Sequence, residues 1–585
     1  MLLPFVESQP GISTPSVDVV NFEPEEMAPG YIPEATVKQG ASLPPRNDIV
    51  PSVIANTLYE RGWKTTTLPS AVKPIVPFQL AKNWRDKGVE FDGEFLDNNP
   101  ISPLEVVKSK LSFNPPLYPL SALEAMLPNY HMDWPRPVKS SYHIYHPNEI
   151  IYGHPQLNVD HIRMDASPGY PYSVTNGLKS RKAIFGQTPN DIHPTFARNL
   201  EIIRDTNHGP GSYMPVYTLS LKVERRPIAK CLEANTRSIF GGPVDFQVYG
   251  QTFYYDLMQS CIENCTSRIT IGIDPHSKDW GNLYRRLRRH KNLIETDAKR
   301  WDNSQEIVVP AFFVDQFVAY LKSTPLRNRT NGFIPTEHLF KHVRKATLGC
   351  LQAYVICMNK LYSVWQQIKS GNFITTLFNC FINDIRWIAV YAVAAIEKNI
   401  RTNDILAHYR ANTECAFHGD DALLSVSDTV APWFNAISAQ FYWKKIWNIE
   451  LTPAGVNKDN QFEPFVPWEN ARFLKRGFST EDGHTYAPLE QTVIRDMVLW
   501  CSDASQNPKI TRQNIAAALM EAAHHSREFF DDLERDLKYA ANAKNIPWVA
   551  STRAQYRQMF RRLVPPTLEF NERVAELKAA ALDLS

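Results

Sequence analysis

The stretch Ala416-Phe417-His418-Gly419-Asp420-Asp421-Ala422-Leu423-Leu424-Ser425-Val426 constrains this chain more than any other. Two adjacent acids stand behind a glycine, with apolar residues on both sides. Phe417 before them and Leu423, Leu424 and Val426 after them predict two short strands. Gly419-Asp420-Asp421 then reads as the tight turn of a β-hairpin, because glycine and aspartate tolerate the positive φ such turns need. A hairpin of this kind sets carboxylates at the rim of a buried sheet, where a cation is what neutralises them. Taken alone, the tripeptide reads more readily as a solvated turn. The rest of the chain has to decide.

The chain has 585 residues, enough for several cores or one multi-lobed enzyme. With 43% hydrophobic and 21% charged residues it has an ordinary globular composition. A net charge of +2 neither requires nor excludes a nucleic-acid partner, since clustering of charge matters more than its sum. The eight cysteines are scattered. Cys261 and Cys265 have ligand-like spacing but no second Cys/His pair nearby, so free thiols are expected and zinc is not. The longest strongly apolar run, 387–396, is about half of what a membrane span needs, so no transmembrane segment is expected. No basic region followed by a long apolar core marks a signal peptide.

Residues 1–150 hold 21 of the 43 prolines. That density predicts extended chain laid over something else, with a few short helices such as Pro103 to Leu111. From about 150 the character changes. Ser167-Pro168-Gly169-Tyr170-Pro171-Tyr172 is a loop of stiff and permissive residues, followed by the basic cluster Lys179, Arg181, Lys182. Tyrosines interleaved with cations suit a nucleic-acid groove. Between Lys222 and Arg237, five cations face two acids. Alternation along a strand would put Lys222, Glu224 and Arg226 on one side, and such a row suits a triphosphate. A solvated charged strand is the plainer reading.

A basic stretch then runs from Asp279 to Arg300, helical at first, with Arg285, Arg286, Arg288, Arg289 and Lys291. Within it an apolar strand from Asn292 ends in Asp297, and Asp302 follows five residues later. The acid at the strand's end is a metal-ligand candidate, or equally a helix cap. A helix with Val308, Val309, Phe312, Phe313 and Phe317 packs inward. Ser370-Gly371 opens a long apolar helix in which Thr375 and Asn379 share one face. Thr375 could be a cap. Asn379 lies inside the helix and needs another partner. After the acidic hairpin come a helix over about Thr429 to Asn448, then Lys458, and a hairpin over Pro467 to Phe478 carrying Lys475 and Arg476. The remainder is mostly helical, with amphipathic stretches at 515–537 and 568–582.

In order, these pieces resemble the motifs of viral RNA-dependent RNA polymerases, most closely the picornavirus-like group. The carriers are the Lys/Arg stretch, Asp-x4-Asp (297 and 302), Ser-Gly-x3-Thr-x3-Asn (370–379), Gly-Asp-Asp, Lys458 and Phe473-Leu474-Lys475-Arg476. Trp468-Glu469-Asn470 with Phe473-Leu474-Lys475-Arg476 is similar to the primer grip. Ser167 to Tyr172 is similar to the template-entry loop, and Ile271-Gly272-Ile273-Asp274-Pro275 to the stretch before the first catalytic aspartate. The resemblance covers about 160–480.

It implies an α+β right-hand polymerase with a ferredoxin-like palm sheet and a mostly helical thumb. Residues 1–150 would be an arm bridging fingers and thumb. Fingers would span 151–290, with an insertion at 326–365. The palm would span 291–325 and 366–480, and the thumb 481–585. Two Mg²⁺ ions, replaceable by Mn²⁺, would be held by Asp297, Asp420 and Asp421. Lys458 would be the general acid for pyrophosphate, although two extra residues, Val456 and Asn457, precede it. Incoming NTPs would be bound by Lys222, Arg226, Lys230, Arg237, Asp302, Ser370, Gly371, Thr375 and Asn379. Asp302 and Asn379 would read the ribose 2′-hydroxyl, the handle that tells RNA from DNA. RNA would meet Ser167, Gly169, Tyr170, Lys179, Arg181, Lys182, Lys475 and Arg476. His418 stands where tyrosine is more usual, and Asn235 where a basic residue is common.

The implied partners are template and nascent RNA, NTPs, and a protein primer or other viral replication proteins. The implied setting is the cytoplasm of a host cell, in replication complexes or particles. Primed and de novo initiation both remain open from the sequence. A reverse transcriptase is the rival with the same chemistry, and a catalytically silent RNA-binding scaffold the rival of another class.

Overall fold

Apolar side chains alternate to both faces of the acidic hairpin, so both faces need cover. The computed structural model describes residues 18–21, 49–86, 98–111, 120–127, 129–173, 177–205, 215–357, 360–364, 367–400, 404–453 and 462–561. At its centre lies a four-stranded antiparallel sheet of Asn292–Ala298, Thr413–His418, Asp421–Val426 and Leu451–Pro453. Counted along the chain, the strands lie in the order 2-3-1-4. Helices Val308–Ser323 and Thr375–Glu397 come between the first two strands, and Ala436–Trp447 between the last two. This is the expected ferredoxin-like βαββαβ order with an enlarged first crossover.

Alternation along the strands assigns the two faces. Ile294, Cys415, Phe417, Leu424 and Val426 join the large core formed with those three helices. Leu293, Ala416 and Leu423 point the other way, onto helix Asp279–Leu287 and onto Ala471 and Phe473. The apolar run at 387–396 belongs to the longer helix Thr375–Glu397, which is long and apolar enough to cross a membrane. However, 94% of its most apolar window is buried inside the protein, as befits a central core helix.

A second, five-stranded sheet lies in the order Asp18–Asn21, Lys360–Val364, Ala353–Cys357, Val216–Leu221, Ser238–Gly241. It joins the start of the chain to segments more than 300 residues on, which no local pattern could announce. The C-terminal lobe contains helices Gln491–Leu499, Asn507–Ala522, Arg527–Ala543 and Arg553–Phe560. Its core also takes in Ile54, Leu58, Trp63 and Leu68 from the proline-rich region. That region does contain the helix Pro103–Leu111. Two of its strands find distant partners: Val50–Pro51 pairs with Trp500–Cys501, and Thr67–Pro69 with Arg225–Pro227. The Asp496 carboxylate gathers hydroxyl groups from Thr65 at 2.8 Å, Thr66 at 2.7 Å and Thr67 at 3.0 Å.

Several sequence expectations shift. The hairpin loop is Gly419-Asp420 alone, with His418 and Asp421 already paired. Gly419 takes φ +68° at the first loop position, as a two-residue turn of this hand requires. The helix expected from Thr429 starts at Ala436, where Asn435 caps it by accepting from the Ser438 N–H at 3.1 Å. The basic helix stops at Leu287. Its Arg286 is no solvated charge: it donates to the carbonyls of Thr266 at 2.8 Å and Cys415 at 2.7 Å, fixing the edge of the sheet. All eight cysteines are free and buried.

Candidate active site

The antiparallel register decides which carboxylates meet. Thr296 stands opposite Ala422 and Glu295 opposite Leu423. Continuing by one residue brings Asp297 level with Asp421, on the sheet face away from the large core. Asp420 sits beside them at the tip of the loop. All three acids are exposed, as ligands for a hard cation must be. Thus 123 residues of separation reduce to neighbouring positions at one end of one sheet.

The buried face of helix Thr375–Glu397 holds this tip in place. Asn383 donates its amide to the carbonyls of Gly419 at 3.3 Å and Asp420 at 3.0 Å. The Gly419 N–H is directed at Cys380 Sγ, 3.0 Å away. Asp384, on the same turn, pairs with Arg268. The Arg268 carbonyl accepts from the Phe417 N–H at 2.8 Å, and the Phe417 carbonyl accepts from the Thr270 N–H at 3.0 Å. Asn383, Cys380 and Arg268 are not among the residues expected from the sequence. The signal for Asn383 was there: it lies one turn beyond Asn379 on the same stripe, polar inside an apolar helix.

Asn379 itself is buried, and its Oδ1 has no hydrogen-bond partner among the described residues. It lies one helical turn before the residue that grips Asp420. An orphaned buried acceptor next to the acids fits a ligand hydroxyl. Asp302 reaches solvent, yet protein crowds it. Burial, then the negative charge of Asp420, pushes its carboxyl up to about 6, with Arg237 opposing. Acids that repel one another this way mark a site with unmet demand for positive charge.

The cations do not form one strand row. Val216–Leu221 ends before Lys222, Arg226 lies in the short strand Arg225–Pro227, and Lys230 in the helix Ile228–Leu232. Folding still groups them. Glu224 pairs with Lys222 at 3.1 Å and also with Arg237. Arg237 feels Asp420 and Asp302, and Arg226 feels Arg237.

Other assignments change character. Gly371 permits close backbone packing, since a Cβ there would lie 1.7 Å from the Phe240 carbonyl oxygen. Ser370 accepts from the Phe240 N–H at 3.4 Å. The Thr375 hydroxyl bonds the carbonyls of Lys369 and Asn372, both at 3.1 Å, which is a structural role. Beneath it, Lys369 is fully buried, with Nζ on the Leu351 carbonyl at 2.7 Å, and burial pushes its ammonium down to about 7.

In the entry loop, Tyr170 is buried in the core and so presents no ring to RNA. A Cβ on Gly169 would lie 2.2 Å from the Gly242 carbonyl oxygen, so this glycine also serves packing. Arg181 bonds Gln247 at 2.6 Å and the Ser167 carbonyl at 3.3 Å, while Ser167, Lys179 and Lys182 are exposed. Lys475 stands in a left-handed turn, φ +62°. Arg476 is committed to Glu521 through two contacts of 2.6 and 2.8 Å, tying the hairpin to the C-terminal lobe and not to RNA. Lys458, with Val456 and Asn457, lies outside the described residues.

The comparisons with known proteins agree with this geometry. Residues 128–541 match the family model described as viral RNA-dependent RNA polymerase. The chain belongs to this family. The polymerase is similar to the replicase polyprotein of Acute bee paralysis virus, 26% identical over 380 residues covering 63% of this chain and 19% of the relative. To that of Cricket paralysis virus it is 27% identical over 411 residues, covering 66% of this chain and 22% of the relative. It thus spans about a fifth of the curated relatives it matches. The solved structure of the Sicinivirus RNA-dependent RNA polymerase superposes with a TM-score of 0.69 at 15% identity, covering 93% of this chain and 98% of that one. The fold is therefore the right-hand polymerase fold, and RNA-directed RNA synthesis is the activity of the family.

Proposed function

We propose that this chain copies RNA from an RNA template, joining NTPs by nucleotidyl transfer at Asp297, Asp420 and Asp421. One observation carries the reading: the sheet register and the Gly419-Asp420 turn bring these acids to one end of the sheet, where the turn is held by Asn383, one helical turn after Asn379 with its orphaned Oδ1. Polymerases of this family use divalent ions, and hard, exposed carboxylates suit Mg²⁺, with Mn²⁺ as a substitute. When bound, such ions lower the barrier by polarising the attacking 3′-hydroxyl and offsetting charge on the leaving pyrophosphate.

The chain's own residues do the rest. Asn383 and Cys380 fix the loop, so Asp420 meets its ligand without reorganisation. Asn379 and Asp302 read the ribose 2′-hydroxyl, which favours this reading over a reverse transcriptase. Lys222, Arg226, Lys230 and Arg237 receive the triphosphate. Residues 49–69 link the C-terminal lobe, as thumb, to the fingers through Asp496 and the Thr67–Pro69 strand. The exposed Ser167, Lys179, Lys182 and Lys475 are left for RNA. We place the enzyme in the cytoplasm of an infected cell, with other viral replication proteins and either a protein primer or de novo initiation.

The test is incorporation on a primed homopolymer RNA with Mg²⁺. Asp297→Asn and Asp420→Asn should each fall by three or more orders of magnitude (about 4 kcal/mol or more) while melting as the parent does. Full activity in Asp420→Asn refutes the assignment and favours a silent scaffold. Asn379→Ala should narrow the preference for NTP over dNTP.

A further inference from the structure

Immediately before Ser370-Gly371 the chain places a lysine in the core. Lys369 is fully buried, and among the described residues its side chain bonds carbonyls and not a carboxylate. Nζ donates to the carbonyls of Leu351 at 2.7 Å and Val364 at 3.1 Å. These two mark one end of a strand pair in the five-stranded sheet. Leu351 precedes the strand Ala353–Cys357, Val364 ends the strand Lys360–Val364, and Ala353 faces Val364 in the ladder. Burial pushes the ammonium down to about 7, with Cys350 as its titratable neighbour. A neutral amine keeps two N–H donors, one for each carbonyl, so the contact does not depend on the charge.

The main chain on either side of this lysine leads to Asp302 and to Asn379. One residue back, the Ile368 N–H donates to the Asp302 carbonyl at 3.2 Å. Two residues back, Gln367 accepts from the Asn303 amide at 3.0 Å. In the other direction the Lys369 carbonyl accepts from the Thr375 hydroxyl and from the Asn372 N–H, both at 3.1 Å. Thr375 opens the helix that carries Asn379 one turn later. The turn between them packs against Phe240, whose N–H donates to Ser370 Oγ at 3.4 Å. We infer that Lys369 is a positioning residue for ribose selection, its amine anchoring to the sheet the segment that joins Asp302 to the start of the Asn379 helix. The inference rests on the reading of Asp302 and Asn379 as the partners of the 2′-hydroxyl, and it adds what sets their spacing. Such a pair works only when held to within about 0.5 Å of its productive geometry. Without the amine, two buried carbonyls are left unmet, and the segment shifts to find them other donors.

A lysine that only supports the fold is the competing account, and it gives a different pattern. Loss of general support slows incorporation of NTP and dNTP alike. Loss of the spacing between Asp302 and Asn379 penalises the substrate that carries the 2′-hydroxyl. Lys369→Met keeps most of the aliphatic stem and removes the donors. Thr375→Val leaves the amine in place but removes the hydroxyl that bonds the Lys369 and Asn372 carbonyls, whereas Thr375→Ser keeps that hydroxyl. The readouts are kcat and KM for a matched NTP and dNTP on one primed RNA template, RNA affinity, and melting temperature.

Lys369→Met should lower the ratio of kcat/KM for NTP over dNTP about tenfold, the weight of one strong hydrogen bond, with dNTP incorporation within about threefold of the parent and RNA affinity little changed. Thr375→Val should lower the ratio about threefold, and Thr375→Ser should keep it. A parental ratio in Lys369→Met, with both substrates slowed together, overturns the inference. If Lys369→Met does not fold, the threonine variants decide. A loss in Thr375→Val that is absent from Thr375→Ser supports the inference. A parental ratio in Thr375→Val refutes it, and so does an equal loss in the two. Failure of the reading beneath it looks different: Asn379→Ala would then keep the parental ratio, or Asp420→Asn full synthesis, whatever Lys369 does.

Discussion

Asn383 provides the sharpest test of how the fold builds the site. It touches neither metal nor substrate, yet its buried amide bonds both carbonyls of the two-residue loop, at 3.3 and 3.0 Å. Leucine has the same branched outline with somewhat greater bulk and cannot donate, so Asn383→Leu removes both bonds without opening a cavity. Each net bond contributes about 1 kcal/mol, and the Gly419 carbonyl would be left buried and unmet. The loop therefore loses about 2 kcal/mol of restraint in the position that carries Asp420. If the transition state needs that position, the loss appears in the barrier, and 2 kcal/mol is about thirtyfold in rate. The assay is single-turnover incorporation at saturating NTP and RNA, with melting temperature measured in parallel. The expected result is a fall of about thirtyfold in the incorporation rate with NTP affinity nearly unchanged. A rate within threefold of the parent, in a protein that has lost the expected stability, would refute the claim that this clamp positions Asp420.

Gly371→Ala should lower both melting temperature and activity, because its Cβ would lie 1.7 Å from a backbone oxygen that has little room to move; a neutral effect would show that the loop relaxes freely. Asp496→Ala should cost about 1–2 kcal/mol by removing the acceptor shared by the Thr65, Thr66 and Thr67 hydroxyls, and limited proteolysis should then cut near residues 60–70 first. Burial pushes the His342 imidazole down to about 4. The unfolded chain, near 6.5, then binds more protons between those values, so stability present above pH 6.5 is lost as pH falls toward 4, by up to about 3 kcal/mol. His342→Gln should flatten that slope in melting curves recorded from pH 7.5 to 4.5, and an unchanged slope would remove His342 as a cause.

The residues near the chemistry were largely legible because they announce themselves locally. A glycine before two acids, an acid ending an apolar strand, and an asparagine inside an apolar helix each violate what packing alone prefers. Those violations survive in one dimension. The ferredoxin-like sheet came from the family resemblance, while side-chain periodicity placed only its individual strands and helices. What misled was polarity without context. Tyr170 and Arg476 carry groups suited to RNA, but burial and Glu521 commit them to the fold. Lys222 to Arg237 has the charge of a triphosphate site, but its cations sit on one short strand, a helix and the loops beside them, not on one strand. A residue type states what a side chain can do, and only its neighbours settle what it is left to do.

By itself, then, the sequence determined the kind of chemistry, through three aspartates and an asparagine that a plain globular core would not keep. The tertiary structure alone decided their arrangement. Register set Asp297 against Asp421, Asn383 fixed the loop between His418 and Asp421, and a helix from the proline-rich region brought Lys110 to Asn235, 125 residues away along the chain. The physical reason is that local propensities act over a few residues. The pairing of distant strands and the docking of distant helices are instead fixed by burial of the whole core and by hydrogen bonds that must all be satisfied together.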